Sequence, residues 1–595
     1  MASDGQAPIE APVLPLSKYS KRVLLKMILG RSDGGLGLMG QKVVVGGWVK
    51  SSREFRMAPE VVEPKESCLE TKLTFFQSIL IVFIGEHRGR DKLDAILPKP
   101  PQRSISILQV GDGSCASNLQ VIVESYLAPP SEVMPTGTCI LAEGLLQKPS
   151  LQGKGTIELK AEKILHIGLV EMDSYPLSKK SLPLELLRDS AHFRPRTTTV
   201  ASVMRIRSAL TQAIHAFFQE NGFFHVQVPI ITTTDCEGLG KNFQVTTLLD
   251  EEKLEDQTIV EDVRLENIKA SIKEKSEKVE ELKRSPSNKE ALAAAIQDLK
   301  KASDLVSHLE AKQKAKSGKS AKVDFSEDFF SCKTYLTASG RLHLESFASA
   351  LGNVYSFGPR FNATKSNSKK LLAEMWILDL EMAFSQLEDS MECASDFLKF
   401  ICKWMLENCE EDLKFVAKRI DKLVVHRLRL IATDSFEKIS YTEAVEVLKQ
   451  ITERKFEKEV QWGSPFGEEH ESYLTDEIYK KPLIIYNHPK ELAPFYVHLN
   501  DDGKTAAAFD VIVPKVGSLI RGGQNEERLN ILSTRIEELG LEKQQYEWYL
   551  DLRRHGAVRS SGFSFFFDPL ILYATGLNDA RDAVPFPRSF GKANN

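Results

Sequence analysis

The sequence predicts an α+β protein: a small all-β unit at the N-terminus, then a larger antiparallel sheet with helices, interrupted by a helical insertion. Three observations carry this. Five short strand-like runs separated by turn signals precede residue 175. A charged stretch with near-heptad apolar spacing occupies residues 250–325. From 326 to 595, strand and helix patterns do not alternate regularly, which favours an antiparallel sheet over a doubly wound one. The 595 residues are 42% hydrophobic and 27% charged, enough to bury a sizeable core. Lys+Arg 78 against Asp+Glu 82 gives a net charge of −4, which excludes a wholly basic surface but not a local basic groove. No apolar run approaches membrane-spanning length. Eight cysteines without a C-x-x-C pair point to a reducing compartment, and the N-terminus lacks a secretory core, so a cytosolic protein is expected.

The N-terminal runs are Val43–Val45, Ile105–Leu108, Leu119–Val123, Thr138–Leu141 and Thr156–Leu159, with turns at Gly46-Gly47 and Gly111-Asp112-Gly113. They fit a barrel of the oligonucleotide-binding type, or equally another small barrel or sandwich. Residues 51–103, rich in Pro, Glu, Lys and Arg, read as an insertion between strands. A proline-spaced linker from Tyr175 to Arg196 follows. Val203, Ile206, Leu210, Ile214 and Phe217 then mark an amphipathic helix. Phe223 to Ile231 reads as a strand broken at Pro229. In 250–325, Leu265, Ile268, Ile272, Val279 and Leu282 precede the break at Ser285-Pro286, and Leu292, Ile296, Leu299, Val306 and Leu309 follow it, as in an antiparallel helical hairpin. Its end carries Lys312, Lys314, Lys316, Lys319 and Lys322, either a solvated spacer or a contact for RNA phosphates. Further on, Leu483–Tyr486 and Phe509–Val513 read as strands, Trp376–Leu378 more loosely so. Met391–Asn408 and Glu526–Leu541 read as helices. No phosphate-binding glycine motif of the Rossmann or P-loop kind is present.

The stretch Tyr355 to Phe361 with Leu372 to Trp376 resembles motif 2 of class II aminoacyl-tRNA synthetases. Trp548 to Arg554, with Ala574-Thr575-Gly576 and Val584 to Arg588, resembles motif 3. The helix before Pro229 and the strand containing it are similar to motif 1. Asp235 to Gly238, Leu336 to Gly340 and Val513 to Gly517 narrow the resemblance to asparaginyl-tRNA synthetases, most of all the cytosolic plant form. The resemblance implies an OB-fold anticodon-binding domain at 1–175 (with the insertion 51–103), a class II catalytic-type domain at 176–249 and 326–595 built on a six- or seven-stranded antiparallel sheet, and a hairpin insertion at 250–325. It implies ATP and Mg²⁺ as cofactors, asparagine and tRNA-Asn as substrates, and a homodimer or a heterodimer with an active paralogue.

It also implies where chemistry resides, and there the residues depart from the pattern. Positions expected to bind ATP are Asn362, Thr364, Lys370, Leu371, Met375, Gly562 and Phe566, with Pro569 in place of the motif 3 arginine. Asn362 replaces the motif 2 arginine, Met375 the aromatic that stacks on adenine, and Phe566 a glycine beside the nucleotide. Of the two metal-binding acids, Asp510 is kept and the other is Ser518. Glu237, Arg341, Glu345, Gln524 and Asn525 fall at amino-acid-binding positions. Arg341 replaces a glutamine, Asn525 a side-chain-reading arginine, and His498 another arginine. Adenylate formation builds charge on phosphorus and relies on fixed cations. Two functions follow: an asparagine–tRNA ligase working with altered motifs, or a catalytically inactive paralogue with a tRNA-binding or partner role.

Overall fold

The computed structural model describes residues 14–56, 103–149, 155–178, 182–234, 242–248, 324–451 and 454–593, and helical stretches between 269 and 307. Five strands close into a barrel in the order β1-β2-β3-β5-β4: β1 (Lys42–Arg56), β2 (Ser104–Gly111), β3 (Leu119–Glu124), β4 (Cys139–Gln147) and β5 (Glu158–Gly168). Alternation drives it: Val43, Val45, Val49, Leu108, Val110, Val121, Ile140, Ala142 and Leu159 all turn into one core. Closure needs close approach of strands, and a Cβ on Gly47 would lie 2.6 Å from the Gly111 carbonyl oxygen. One carboxylate is buried in the wall. Glu158 accepts from Gln120 Nε2 at 2.7 Å and Gln147 Nε2 at 2.8 Å, which compensates its lost hydration.

Strand β1 runs on through Arg56, with Arg53 opposite Ile107 and Arg56 opposite Ser104. Residues 51–56 therefore belong to the barrel and not to the insertion. Their polar side chains face solvent, so the apolar alternation that marks the other strands is missing there. The rest of the insertion and the lysine-rich end of the hairpin lie outside the described residues, while 271–280 and 293–304 are helical.

The linker joins the barrel to the sheet. The Arg196 guanidinium sits 5.8 Å from the Trp48 ring, 5.9 Å from Tyr175 and 5.1 Å from Phe193. Helix α1 (Thr198–Glu220) is capped by Thr197, which accepts from Val200 N–H, and buries Val203, Ile206, Leu210, Ile214 and Phe217. Arg205 on its outer side pairs with Asp412 at 2.7 Å and donates to the Gly113 carbonyl of the barrel at 2.8 Å.

The large sheet has eight strands: β12 (Glu437–Ser440), β13 (Leu483–Pro489), β14 (Thr505–Val513), β15 (Gly517–Gln524), β16 (Ser560–Phe566), β11 (Glu374–Ala383), β10 (Asn353–Phe361) and β6 (Phe224–His225). The six from β13 to β10 are antiparallel, and the two edge strands pair parallel. The broken strand around Pro229 resolves into two: β6 joins this sheet, and β7 (Ile231–Thr232) joins a small sheet with β8 (Gln244–Val245) and β9 (Thr334–Leu336). Proline at position 229 supplies no ladder donor, so the pairing breaks there. One face of the large sheet, with Leu378, Leu380, Val511, Ile520 and Phe565, packs on α1 and α3 (Leu387–Asn408). On the other face α2 (Arg341–Leu351) covers β10 and β11. The helix expected over 526–541 is α4 (Leu529–Glu538). Glu526 is held out of it because its carboxylate accepts from the Leu499 and Arg528 backbone N–H groups.

Candidate active site

Strand register assembles the first row of the site. Asp510 on β14 lies opposite Arg521 on β15, Arg521 opposite Ser564 on β16, Ser564 opposite Asp379 on β11, and Asp379 opposite Ser356 on β10. These residues share the face turned away from α1 and α3. Asp379 anchors the row: Arg360 Nη2 donates to it at 2.8 Å, Gly340 N–H at 2.9 Å and Ser564 Oγ at 2.6 Å. One row further along, Glu381 lies opposite Gly562.

Glu381 centres a buried network. Arg341 Nε donates to its Oε1 at 2.7 Å, and Asn525 Nδ2 donates to its Oε2 at 2.9 Å. Asn525 Nδ2 also donates to Ser560 Oγ at 3.0 Å, and Ser560 Oγ donates to Glu345 Oε1 at 3.2 Å. Glu345 is held further by Arg553 Nη2 at 2.7 Å and by the Tyr549 hydroxyl. The Arg341 guanidinium stands 5.5 Å from the Tyr496 ring. Arg341 and Glu381 are 4% and 1% exposed by side chain, and Asn525, Glu345 and Ser560 are buried too. Burial, with Glu345 adding to it, pushes the Glu381 carboxyl up to about 7 against the pull of Arg341. Burial opposes the Arg341 charge, but Glu381 beside it keeps the guanidinium protonated.

Thus the structure brings Arg341, Glu345 and Asn525 together, with Gln524 buried next to them. Glu237 lies outside the described residues. The other predicted positions are dispersed around the open part of the sheet. Asn362 Oδ1 accepts from Thr364 N–H at 2.8 Å, so its oxygen closes a local turn. Lys370 Nζ reaches Glu468 and the Val516 carbonyl, both at 3.0 Å. Leu371 is half-buried, and Met375 packs against the hydrophobic core. Phe566 ends β16 with Arg521 5.9 Å from its ring, and Pro569 lies in the first turn of helix α5 (Phe567–Thr575).

Asp510 has two nitrogen neighbours, Arg521 Nε at 3.7 Å and His488 Nε2 at 3.8 Å. Ser518 offers a hydroxyl that reaches only the Ile520 carbonyl, at 3.5 Å. Beside them Glu471 accepts from the Ser518 backbone N–H, and burial, then repulsion from Asp510, pushes its carboxyl up to about 7. The residues expected to hold Mg²⁺ therefore do not form a two-carboxylate site between 510 and 518. Glu381, Glu471, Arg521, Arg553, Tyr549 and Ser560 are missed by sequence reasoning. Tyr549 and Arg553 stood in the run that resembles motif 3 without being given a role, and Arg521 stood as a cation directly before Gly522-Gly523.

A closed five-stranded barrel joined to an antiparallel sheet is the architecture that the resemblance to class II synthetases implied. The family model "tRNA synthetases class II (D, K and N)" matches residues 184–256 and 310–590. The chain is 50% identical to Arabidopsis thaliana asparagine–tRNA ligase, cytoplasmic 2, over 98% of this chain and 97% of that protein. It is 42% identical to the cytoplasmic 1 ligase of the same plant, over 97% and 95%. The crystal structure of Pyrococcus horikoshii asparaginyl-tRNA synthetase complexed with asparaginyl-adenylate superposes with a TM-score of 0.67 at 21% identity, covering 96% of this chain and 99% of that one. The chain belongs to the asparagine–tRNA ligase family of class II synthetases.

Proposed function

We propose that this chain is a paralogue of the asparagine–tRNA ligases that retains tRNA-Asn binding and subunit pairing and has lost asparagine adenylation. The observation that carries the reading is the closed network Arg341–Glu381–Asn525–Ser560–Glu345. Groups that stand at amino-acid-binding positions satisfy one another and are buried, so an asparagine carboxamide or ammonium must compete with hydrogen bonds already made. The losses at Asn362, Pro569 and Ser518 act in the same direction, since each removes a charge expected to face phosphate or metal.

Residues 1–175 serve as the anticodon-binding unit, with Arg53, Phe55 and Arg56 on the outer run of β1 as its RNA-facing side chains. Trp48, covered by Arg196, is a joint between the parts and not a base platform. Residues 176–249 and 326–595 form the synthetase-type unit carrying the insertion 250–325. The exposed Phe224, Phe347, Leu351 and Phe384 provide the apolar face on which a second chain packs, its own copy or an active paralogue. Among the described residues no helix is long and apolar enough to cross a membrane, and relatives named cytoplasmic support a cytoplasmic place.

The second reading, a working ligase using ATP, Mg²⁺, asparagine and tRNA-Asn, is favoured by the identity of 50% and 42% to proteins named ligases. Asparagine-dependent ATP–pyrophosphate exchange by the purified chain decides. No exchange above background is expected; a rate that disappears on Asp510→Ala overturns the proposal. A gel shift with tRNA-Asn against other tRNAs tests the binding role.

A further inference from the structure

Two imidazoles meet at the edge of the large sheet, on the α1 side and so on the face opposite Ser356 and Asp379. His215 lies on α1 and His225 on β6, the outermost strand, and their ring centres are 5.3 Å apart. The local sequence brings them together. After α1, Gly222 takes φ 79° and the Phe223 N–H donates to the Phe218 carbonyl at 2.9 Å, which turns the chain back into β6. His225 then stands beside Tyr355 of β10. Among the described residues no other two histidine rings meet. His215 Nδ1 lies 2.9 Å from the hydroxyl of the buried Tyr355, which fixes the ring and leaves Nε2 as its free nitrogen. His225 is exposed, and its ring nitrogens make no hydrogen bond among the described residues. Burial draws both imidazoles below their ordinary pKa, His225 also through His215, so at neutral pH both are in the uncharged form that ligates.

We propose that His215 and His225 together hold a divalent transition-metal ion of the Zn²⁺ class, which clips the end of α1 to the sheet edge, with Tyr355 orienting His215. Two imidazoles sharing one tetrahedral ion, at metal–nitrogen distances of about 2.0–2.1 Å, have ring centres about 5 Å apart, which is the spacing here. Imidazole suits Zn²⁺, Cu²⁺ and Ni²⁺ and not Mg²⁺, so this is a different kind of site from one of carboxylates. With His225 exposed, the remaining coordination positions are open to water.

Zn²⁺ calorimetry of the metal-stripped full chain at neutral pH tests it, with Cu²⁺ electron paramagnetic resonance to report nitrogen ligands. The expected result is one Zn²⁺ per chain, a Cu²⁺ spectrum split by imidazole nitrogen, and a thermal midpoint that rises with Zn²⁺ and not with Mg²⁺. His225→Phe keeps an aromatic ring against Tyr355, so the variant unfolds like the unaltered chain in EDTA yet loses Zn²⁺ affinity by tenfold or more. His215→Gln does the same to the affinity. Tyr355→Phe, which removes only the orienting hydroxyl, weakens binding by about tenfold. Three outcomes overturn the proposal. One is no Zn²⁺ uptake. Another is uptake undiminished in His225→Phe, which leaves the two rings as packing alone. The third is uptake abolished by His498→Ala, which places the ion instead among His498, Glu526 and Glu527, whose ligand atoms all lie within 4.8 Å of one another.

Discussion

Replacing Arg341 by glutamine removes one partner of an ion pair whose side chains are 4% and 1% exposed. Such a removal costs roughly 3–5 kcal/mol, because it leaves a charge buried without its counter-ion. Glutamine keeps one donor toward Glu381, and Asn525 Nδ2 stays at 2.9 Å, so the low end, about 3 kcal/mol, is expected. Glu381 sets the pH dependence. Its carboxyl is already raised to about 7 by burial and Glu345, and the loss of Arg341 raises it further. A carboxyl raised above its unfolded value of 4.5 holds its proton more tightly when folded. Its favourable contribution is therefore full at low pH and is lost as pH rises through the folded value. Arg341→Gln must then be more damaging at pH 8 than at pH 6, because at pH 6 a proton replaces the missing guanidinium. Urea unfolding followed by tryptophan fluorescence at the two pH values measures this. The double variant Arg341→Gln/Glu381→Gln should recover at least half of the loss, since no buried charge remains. A loss below about 1 kcal/mol at pH 8, within the range of an ordinary substitution, or a double variant no better than the single, refutes the reasoning.

Glu471→Gln should flatten stability between pH 5 and 8. The native carboxyl, raised to about 7 by burial and then by Asp510, stabilises below 4.5 and loses that contribution as pH rises through 7, so a thermal midpoint that still falls across this window in the variant speaks against the assignment. If the inactive reading proposed above holds, arginine at Asn362 and Pro569 with glycine at Phe566 should not by itself give pyrophosphate exchange, because the Arg341 network still ties up the positions expected to bind the amino acid; adding Arg341→Gln is the change expected to raise asparagine-dependent thermal stabilisation above zero. Gly562→Ala should destabilise by about 3 kcal/mol or prevent folding, since its Cβ would meet the Leu380 carbonyl and lie 2.8 Å from Glu381 Cδ; wild-type unfolding behaviour would contradict the strand spacing.

The barrel was legible because Val43 to Val45 and Leu119 to Val123 mark buried strands bounded by glycine turns. The amphipathic spacing of Val203 to Phe217 likewise returned as α1. Polar strand ends were not legible: Ser51 to Arg56 pair with β2 yet bury little. The six antiparallel strands meet the expectation, and parallel edge strands flank them: β6 is part of the broken strand read around Pro229, while four-residue β12 carries too little pattern to read. For the site, motif positions located Arg341, Glu345, Asn525 and Asp510 along the chain but not what they touch. Arg553 meets Glu345, far away along the chain, through the packing of a late helix on α2. Arg521 reaches Asp510 only through a register with an irregularity between Val511 and Ile512, which no pattern of residue types specifies.

The last cross-strand pair of the barrel hairpin, Arg56 opposite Ser104, bears on how this chain tolerates a change of length. The chain leaves the barrel and comes back to it at adjacent points, so the connection spans almost no distance. Loop closure rises only with the logarithm of length, about 0.6 kcal/mol per doubling. A connection at this doorway can therefore be shortened to a tight turn, or exchanged for an unrelated module, while the five barrel strands keep their partners. The stretch 57–102 thus enters and leaves the barrel at one place, where a change of length leaves the five strands and their register untouched.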